Sequence, residues 1–265
     1  MLNQLGTGAI HLWLALYELI DDERLLNAYR ELLSRAEREQ ERRFQFTSDR
    51  RRYLVTRALV RIVLSRYLPV LPKDWLFCTN AYGRPQAVNV EARQAQLSFN
   101  ISHTHGLIAM GVTRYRLLGL DVENVNGPAF CSGIVDRYFA ADEVLAFYRV
   151  PPEQRRDRYF EYWTFKESYI KARGMGLSIP LDKFSFDYPH QRGVRITIDP
   201  VLADHAERWQ FWQFRPSTEY LMAVCIERKR FDRPEFIIRK IIPGSTEELL
   251  APVFSRSSEE QLVFS

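Results

Sequence analysis

Apolar and polar positions regroup along the chain in an order that predicts an α+β protein. Ile10 to Glu18 reads as a strand that runs into the polar turn Asp21-Asp22-Glu23. A helix is predicted over Leu25–Arg43. A second follows Ser48 or Asp49 as N-cap and ends near Tyr67. In it, Val55, Ala58, Leu59 and Ile62 make the buried stripe, while Arg50, Arg57 and Arg61 share an opposite, solvated face. Pro69 and Pro72 close this helical region. Leu97, Phe99 and Ile101 then alternate with Ser98, Asn100 and Ser102, the pattern of a half-buried strand. Leu107–Val112 and Leu117–Val125 continue as strands. Cys131–Val150 reads as helix up to Pro151-Pro152, and Arg155–Arg173 as a helix stopped by Gly174 and Gly176. Strands resume at Phe184–Phe186, Val194–Ile198, Trp209–Phe214 and Tyr220–Glu227. From Phe231 the alternation weakens, and the pattern assigns no role to the C-terminal residues.

The apolar run Leu107–Val112 is echoed by Leu221–Ile226, and a strand, an acid and a long helix recur around each. Two related halves are expected from that echo, over residues 1–116 and 117–228, with 229–265 as an extension. A chain of 265 residues has room for them.

Composition narrows the class. Hydrophobic residues are 46% and charged residues 26%, which excludes disordered, collagen-like and low-complexity chains. The apolar run Gly8–Tyr17 falls short of the ~20 residues that cross a bilayer. No basic residue precedes it and no small-residue cleavage site comes after it, so neither a membrane segment nor a secretory leader is expected. Cys78, Cys131 and Cys225 are odd in number and far apart, as in reduced thiols of a cytoplasmic protein. Of 37 basic residues only six are lysine. Guanidinium groups suit phosphate, although a genome-wide bias toward arginine explains the count more plainly.

The candidate chemistry concentrates in two segments. On the strand Leu117–Val125, Leu118, Leu120 and Val122 point one way and Gly119, Asp121 and Glu123 the other. Two carboxylates on one face either line a wet edge or share a divalent cation, and oxygen ligands favour Mg2+ or Mn2+. On the Arg155–Arg173 helix, Phe160, Trp163, Glu167 and Ile170 fall within an arc of about 80°. Glu167 therefore stands in an apolar stripe, where a carboxylate is expensive unless paired or metal-bound. Lys171, one turn on, is the ordinary i,i+4 partner, but a third carboxylate beside Asp121 and Glu123 is the better reading. Ser102 and His103, at the end of a strand, offer hydroxyl, imidazole and backbone donors to a phosphate.

Taken together, Tyr82-Gly-Arg-Pro85, Phe99-Asn-Ile-Ser-His103, Gly119-Leu-Asp-Val-Glu123 and Trp163-Thr-Phe-Lys-Glu-Ser168 with Lys171 resemble the 4'-phosphopantetheinyl transferases. The likeness is to the long, monomeric type that activates carrier domains of peptide and polyketide synthetases. It extends over roughly residues 10–228. The resemblance implies two pseudo-symmetric halves, each a short antiparallel sheet on a long helix, with the active site in a cleft between them. It implies that Asp121, Glu123 and Glu167 hold Mg2+ against the pyrophosphate of coenzyme A. Arg52, Arg84, Ser102, His103, Lys166 and Lys171 would contact the coenzyme, with Arg84 near its 3'-phosphate. Glu167 would be the general base and Lys171 the group that stabilises the departing phosphate. The chain departs from the family at Glu37 and Gln40, where some members carry lysines; Arg42 or Arg43 are the candidate substitutes.

The implied reaction moves 4'-phosphopantetheine onto a serine of an apo acyl carrier protein or peptidyl carrier domain, with neither nucleic acid nor membrane as partner. A different class, an Arg-rich binder of nucleic acid or of acidic surfaces without catalysis, is motivated by the second helix. It would have no use for three carboxylates, which repel a phosphate backbone.

Overall fold

The computed structural model describes residues 3, 5–128, 130, 132–229, 234–251 and 253–258. The strands are β1 (Ala9–Ala15), β2 (Phe77–Thr79), β3 (Pro85–Ala87), β4 (Leu97–Thr104), β5 (Leu107–Arg114), β6 (Leu118–Asn124), β7 (Phe184–Asp187), β8 (Arg195–Ile198), β9 (Trp209–Ser217), β10 (Tyr220–Glu227), β11 (Glu235–Ile242), β12 (Thr246–Leu250) and β13 (Phe254–Ser257). The helices are α1 (Glu23–Leu32), α2 (Arg35–Arg43), α3 (Thr47–Leu64), α4 (Val90–Gln94), α5 (Ser132–Tyr138), α6 (Ala141–Arg149) and α7 (Arg155–Arg173).

Contacts divide the chain into two units. The first comprises Met1–Thr79, Pro85–Tyr115 and Arg233–Ala251; the second comprises Asn80–Arg84, Arg116–Asp232 and Pro252–Ser265. In the first, the sheet runs β12-β11-β1-β5-β4, with β11 parallel to β1 and the other pairs antiparallel. Helix α3 covers it through Leu54, Val55, Ala58, Leu59 and Val63, which join Trp13, Phe99, Met110 and Val112 in one core. In the second, the antiparallel sheet β13-β9-β10-β6 carries α7. Phe160, Phe165, Tyr169 and Ile170 of that helix pack with Leu221, Ala223, Cys225 and Phe211.

Both units share an element order. A strand, a long helix, a short hairpin and two further strands succeed one another, and the last strand pairs between the other two: β1-β5-β4 and β6-β10-β9. The echoed runs at Leu107 and Leu221 thus lie on corresponding central strands.

Several sequence expectations change. The predicted helix Leu25–Arg43 is two helices, because Ser34 and Glu37 close a reciprocal capping box that starts α2. Helix α3 starts after Phe46 with no side-chain cap, rather than at Ser48 or Asp49. The segment expected as one helix up to Val150 breaks between α5 and α6, where Glu143 accepts from the Ala140 N–H at 3.0 Å; Cys131 lies outside the described residues. The extension after residue 228 supplies β11 and β12 to the first sheet and β13 to the second.

The arginine face of α3 is only partly a solvated surface: Arg50 is exposed, whereas Arg57 and Arg61 turn inward. Arg61 is 2% exposed and donates to Glu37 at 2.6 Å and to the carbonyls of Pro72 and Trp75. Arg57 binds the other Glu37 oxygen. Their joint charges hold the Glu37 carboxyl below its usual range against the upward push of burial. Two of the three arginines that motivated a nucleic-acid reading are thus held by an acid of the same unit. No described helix is long and apolar enough to cross a membrane.

One position governs how β6 meets α7. A Cβ on Gly119 would lie 2.0 Å from the Ser168 carbonyl oxygen and 2.2 Å from the Ala172 nitrogen, both backbone atoms of α7. No side-chain rotation relieves such a clash, so the glycine sets the distance between strand and helix. Gly119→Ala should therefore destabilise the protein by about 3 kcal/mol or more, the upper end of overpacking costs. Gly6→Ala, where an added methyl meets nothing within 4 Å, should be close to neutral. Urea titration of both variants checks this; equal midpoints would contradict it.

Candidate active site

Gly119, Asp121 and Glu123 face α7 together, because their partners on β10 are Cys225, Ala223 and Leu221, members of the core under that helix. Asp121 is 3% exposed. Its carboxylate accepts from the Lys171 ammonium at 2.6 Å. Glu123, half-buried, accepts from the Trp163 indole N–H at 3.2 Å. The Trp163 ring stacks on Tyr159, which fixes its donor.

Helix α7 is buried almost all round, so Glu167 does not sit in an apolar stripe as expected. Trp163, Glu167 and Lys171, four residues apart, form its least enclosed strip. Burial and the neighbouring Asp121 charge push the Glu167 carboxyl up to about 7, against the opposing pull of Lys171. An acid of that strength sits in the range a general base needs.

The basic positions have different fates. Lys166 is not a coenzyme ligand: its ammonium is fully buried and bound to Glu143 at 2.7 Å and to the carbonyls of Leu181 and Phe184. Burial presses Lys166 below and Glu143 above their usual ranges, each opposed by the other's charge. Arg84 is largely committed too. Its guanidinium donates to the carbonyls of Lys171, Ala172 and Leu118 at 2.6, 3.0 and 2.9 Å. It thereby caps the C-terminal end of α7 beside Gly174, whose positive φ ends the helix as expected. Only its remaining N–H groups are open to a phosphate. Lys171 is accessible, with 26% of its side chain exposed.

The other candidates belong to the first unit. Ser102 is buried and His103 exposed near the end of β4, and Arg52 of α3 pairs with Asp49 at 2.9 Å.

Three features that hold the site in place are not in the sequence reading: the Trp163 bond to Glu123, the packing role of Gly119 and the bonds of Asp204. The Trp163 bond to Glu123 has no local signature. Gly119 does: an isolated glycine inside a strand marks close backbone approach. Asp204 sits in a polar segment, yet it accepts from Tyr169, Trp209 and Arg173 at 2.8–2.9 Å. Burial acts to raise its carboxyl, and these bonds outweigh it and hold it low.

Among the described residues, no three His, Cys, Asp or Glu side chains converge as a metal cluster. The donor chemistry nevertheless suits a hard cation, with three carboxylates on facing elements and one of them made weakly acidic by burial and by another's charge.

Comparison with known proteins returns one theme. Residues 117–225 match the family model described as the 4'-phosphopantetheinyl transferase superfamily, and residues 22–113 match that of a 4'-phosphopantetheinyl transferase N-terminal region. The 4'-phosphopantetheinyl transferase Sfp of Bacillus subtilis is 32% identical over 218 residues, covering 82% of this chain and 90% of that protein. HetI of a Nostoc species, a 4'-phosphopantetheinyl transferase, is 31% identical over 82% of this chain and 87% of its own. A further one, ffp of Bacillus subtilis, is 31% identical over 75% and 84% respectively.

The raised Glu167 carboxyl has a consequence for the metal-free chain. An acid whose folded pKa of about 7 exceeds its ordinary 4.5 binds more protons folded than unfolded between those values. The contribution of Glu167 to stability should then be greatest below pH 4.5 and fall until about pH 7, on top of the opposite trend of acids held low such as Glu37 and Asp204. Glu167→Gln should remove that slope, a relative gain of roughly 2 kcal/mol at neutral pH after allowance for partial exposure. Denaturation of both proteins in chelator across this range checks it; parallel pH profiles would contradict it.

Proposed function

This chain belongs to the 4'-phosphopantetheinyl transferase superfamily, and we propose that it transfers 4'-phosphopantetheine from coenzyme A to a serine hydroxyl of an apo acyl or peptidyl carrier protein. Adenosine 3',5'-bisphosphate is the second product. The observation that carries this reading is the juxtaposition of Asp121 on β6 with Glu167 and Lys171 on α7.

In this reading Asp121, Glu123 and Glu167 hold Mg2+, or Mn2+, which would neutralise charge on the pyrophosphate. The serine hydroxyl gives its proton to Glu167, directly or through water, as its oxygen forms the new bond to phosphorus. The bond from that phosphorus to the bridging pyrophosphate oxygen breaks. Lys171 donates to the departing phosphate, which requires its ammonium to turn from Asp121 toward the ligand. Trp163 keeps Glu123 pointed at the same place.

Ser102, His103 and Arg52, with the free N–H groups of Arg84, are coenzyme contacts on the strength of the family resemblance. The pseudo-symmetric pairing of the halves, a monomeric state and a cytoplasmic location enter on the same basis.

Mass spectrometry of an apo carrier protein incubated with coenzyme A and Mg2+ tests the reading. The carrier should gain the mass of one phosphopantetheinyl group, and Glu167→Gln should slow that gain by at least ~100-fold. An unmodified carrier would overturn the reaction; a variant that turns over at the normal rate would remove Glu167 from it.

A further inference from the structure

Helix α7 is held from a second side by buried charge. Lys166, Tyr169 and Arg173 lie on a stripe roughly 130° around the helix from Trp163, Glu167 and Lys171, at 3.6 residues per turn. Every donor of the Lys166 ammonium is satisfied: Glu143 at 2.7 Å, the Leu181 carbonyl at 2.8 Å and the Phe184 carbonyl at 2.7 Å. The ammonium also sits 4.3 Å from the centroid of the Phe184 ring. Glu143 in turn accepts from the backbone N–H groups of Ala140 and Phe186. One ion pair thus ties α6, the segment 181–186 and α7 together, with both side chains at 0% exposure. Three residues along the same stripe, Tyr169 donates to Asp204.

A pair so enclosed is a poor source of stability. Apolar residues of similar volume usually serve as well or better, because neither charge has to leave water. What an apolar pair lacks is direction. Contacts among the rings of this core tolerate small rotations of the helix, whereas an ammonium with three fixed acceptors does not. Glu167 is the next residue in the chain, so the rotation that Lys166 fixes is the one that aims Glu167 beside Asp121.

We infer that Lys166 and Glu143 are positioning residues, a buried ion pair that sets the rotation of α7 and so the aim of Glu167. This rests on the reading of Glu167 as the base, and the experiment separates the two. The paired variant Lys166→Met/Glu143→Leu removes both charges and keeps the volume. It should melt at or above the wild-type temperature, with kcat for carrier modification reduced ~10–100-fold, as expected for a displaced catalytic group. KM for coenzyme A should stay within about twofold, because neither residue touches it. Combined with Glu167→Gln, the pair should cost several-fold less than it does alone, since the aim of an absent base is immaterial and only Lys171 is left to be displaced.

If the paired variant does not fold, Glu143→Gln keeps the two Lys166 carbonyl bonds and should lower kcat alone, by less. A folded variant of either kind with wild-type kcat overturns the inference while Glu167→Gln remains inactive. An equal kcat loss with and without Glu167 also overturns it. An active Glu167→Gln variant overturns the reading of the base itself.

Discussion

The close approach of β6 to α7 at Gly119 is the constraint on which the site depends. A backbone-to-backbone fit of that tightness leaves one distance between strand and helix. It brings Asp121 within 2.6 Å of Lys171 and within electrostatic reach of Glu167. Any larger residue would have to push Ser168 and Ala172 away, and the carboxylates would part. The chemistry of the second unit is in this sense a product of one missing methyl group.

Charge then does what the aromatic core cannot. Rings such as Phe160, Phe165, Phe186 and Phe211 fill space around α7, and such packing fixes volume better than it fixes rotation. Acids placed around the helix supply the direction: Glu143 holds Lys166, Asp204 holds Tyr169 and Arg173, and Asp121 holds Lys171. The first unit uses the same device, with Glu37 gripping Arg57 and Arg61 of α3. Here two arginines of a basic helix face serve as internal braces.

Much of the fold was legible from periodicity. β4, β5, β6, α7 and β10 lie where alternation and the Gly174 stop place them, because each pattern has a local physical cause. The misreadings also share one. Ser34-x-x-Glu37 carries a capping-box signature inside an apparently continuous helical pattern, and a helical period does not show an interruption that leaves both faces in phase. Arg61 and Lys166 look like surface cations in any linear reading. Their buried partners, Glu37 and Glu143, stand 24 and 23 residues away, and only tertiary packing brings them together. The strand after residue 234 is amphipathic only weakly, since its pairing with β1 is a long-range event that no local pattern announces. For the site, Asp121, Glu167 and Lys171 were grouped through the family resemblance; β6 and α7, which carry them, have α5 and α6 between them in the chain, and packing brings them together. Arg84 and Lys166 were assigned through the family resemblance, and the structure turns most of one and all of the other inward.

The central claim is that β6 and α7 present Asp121, Glu123 and Glu167 to one divalent cation while Lys166 stays inside. A crystal structure of the chain with coenzyme A and Mn2+, located by its anomalous scattering, tests it most directly. The account predicts one anomalous peak ligated by these three carboxylates, Lys171 turned from Asp121 toward the coenzyme phosphates, and Lys166 still bound to Glu143. A peak held by other residues, or Lys166 swung out onto the coenzyme, would contradict it.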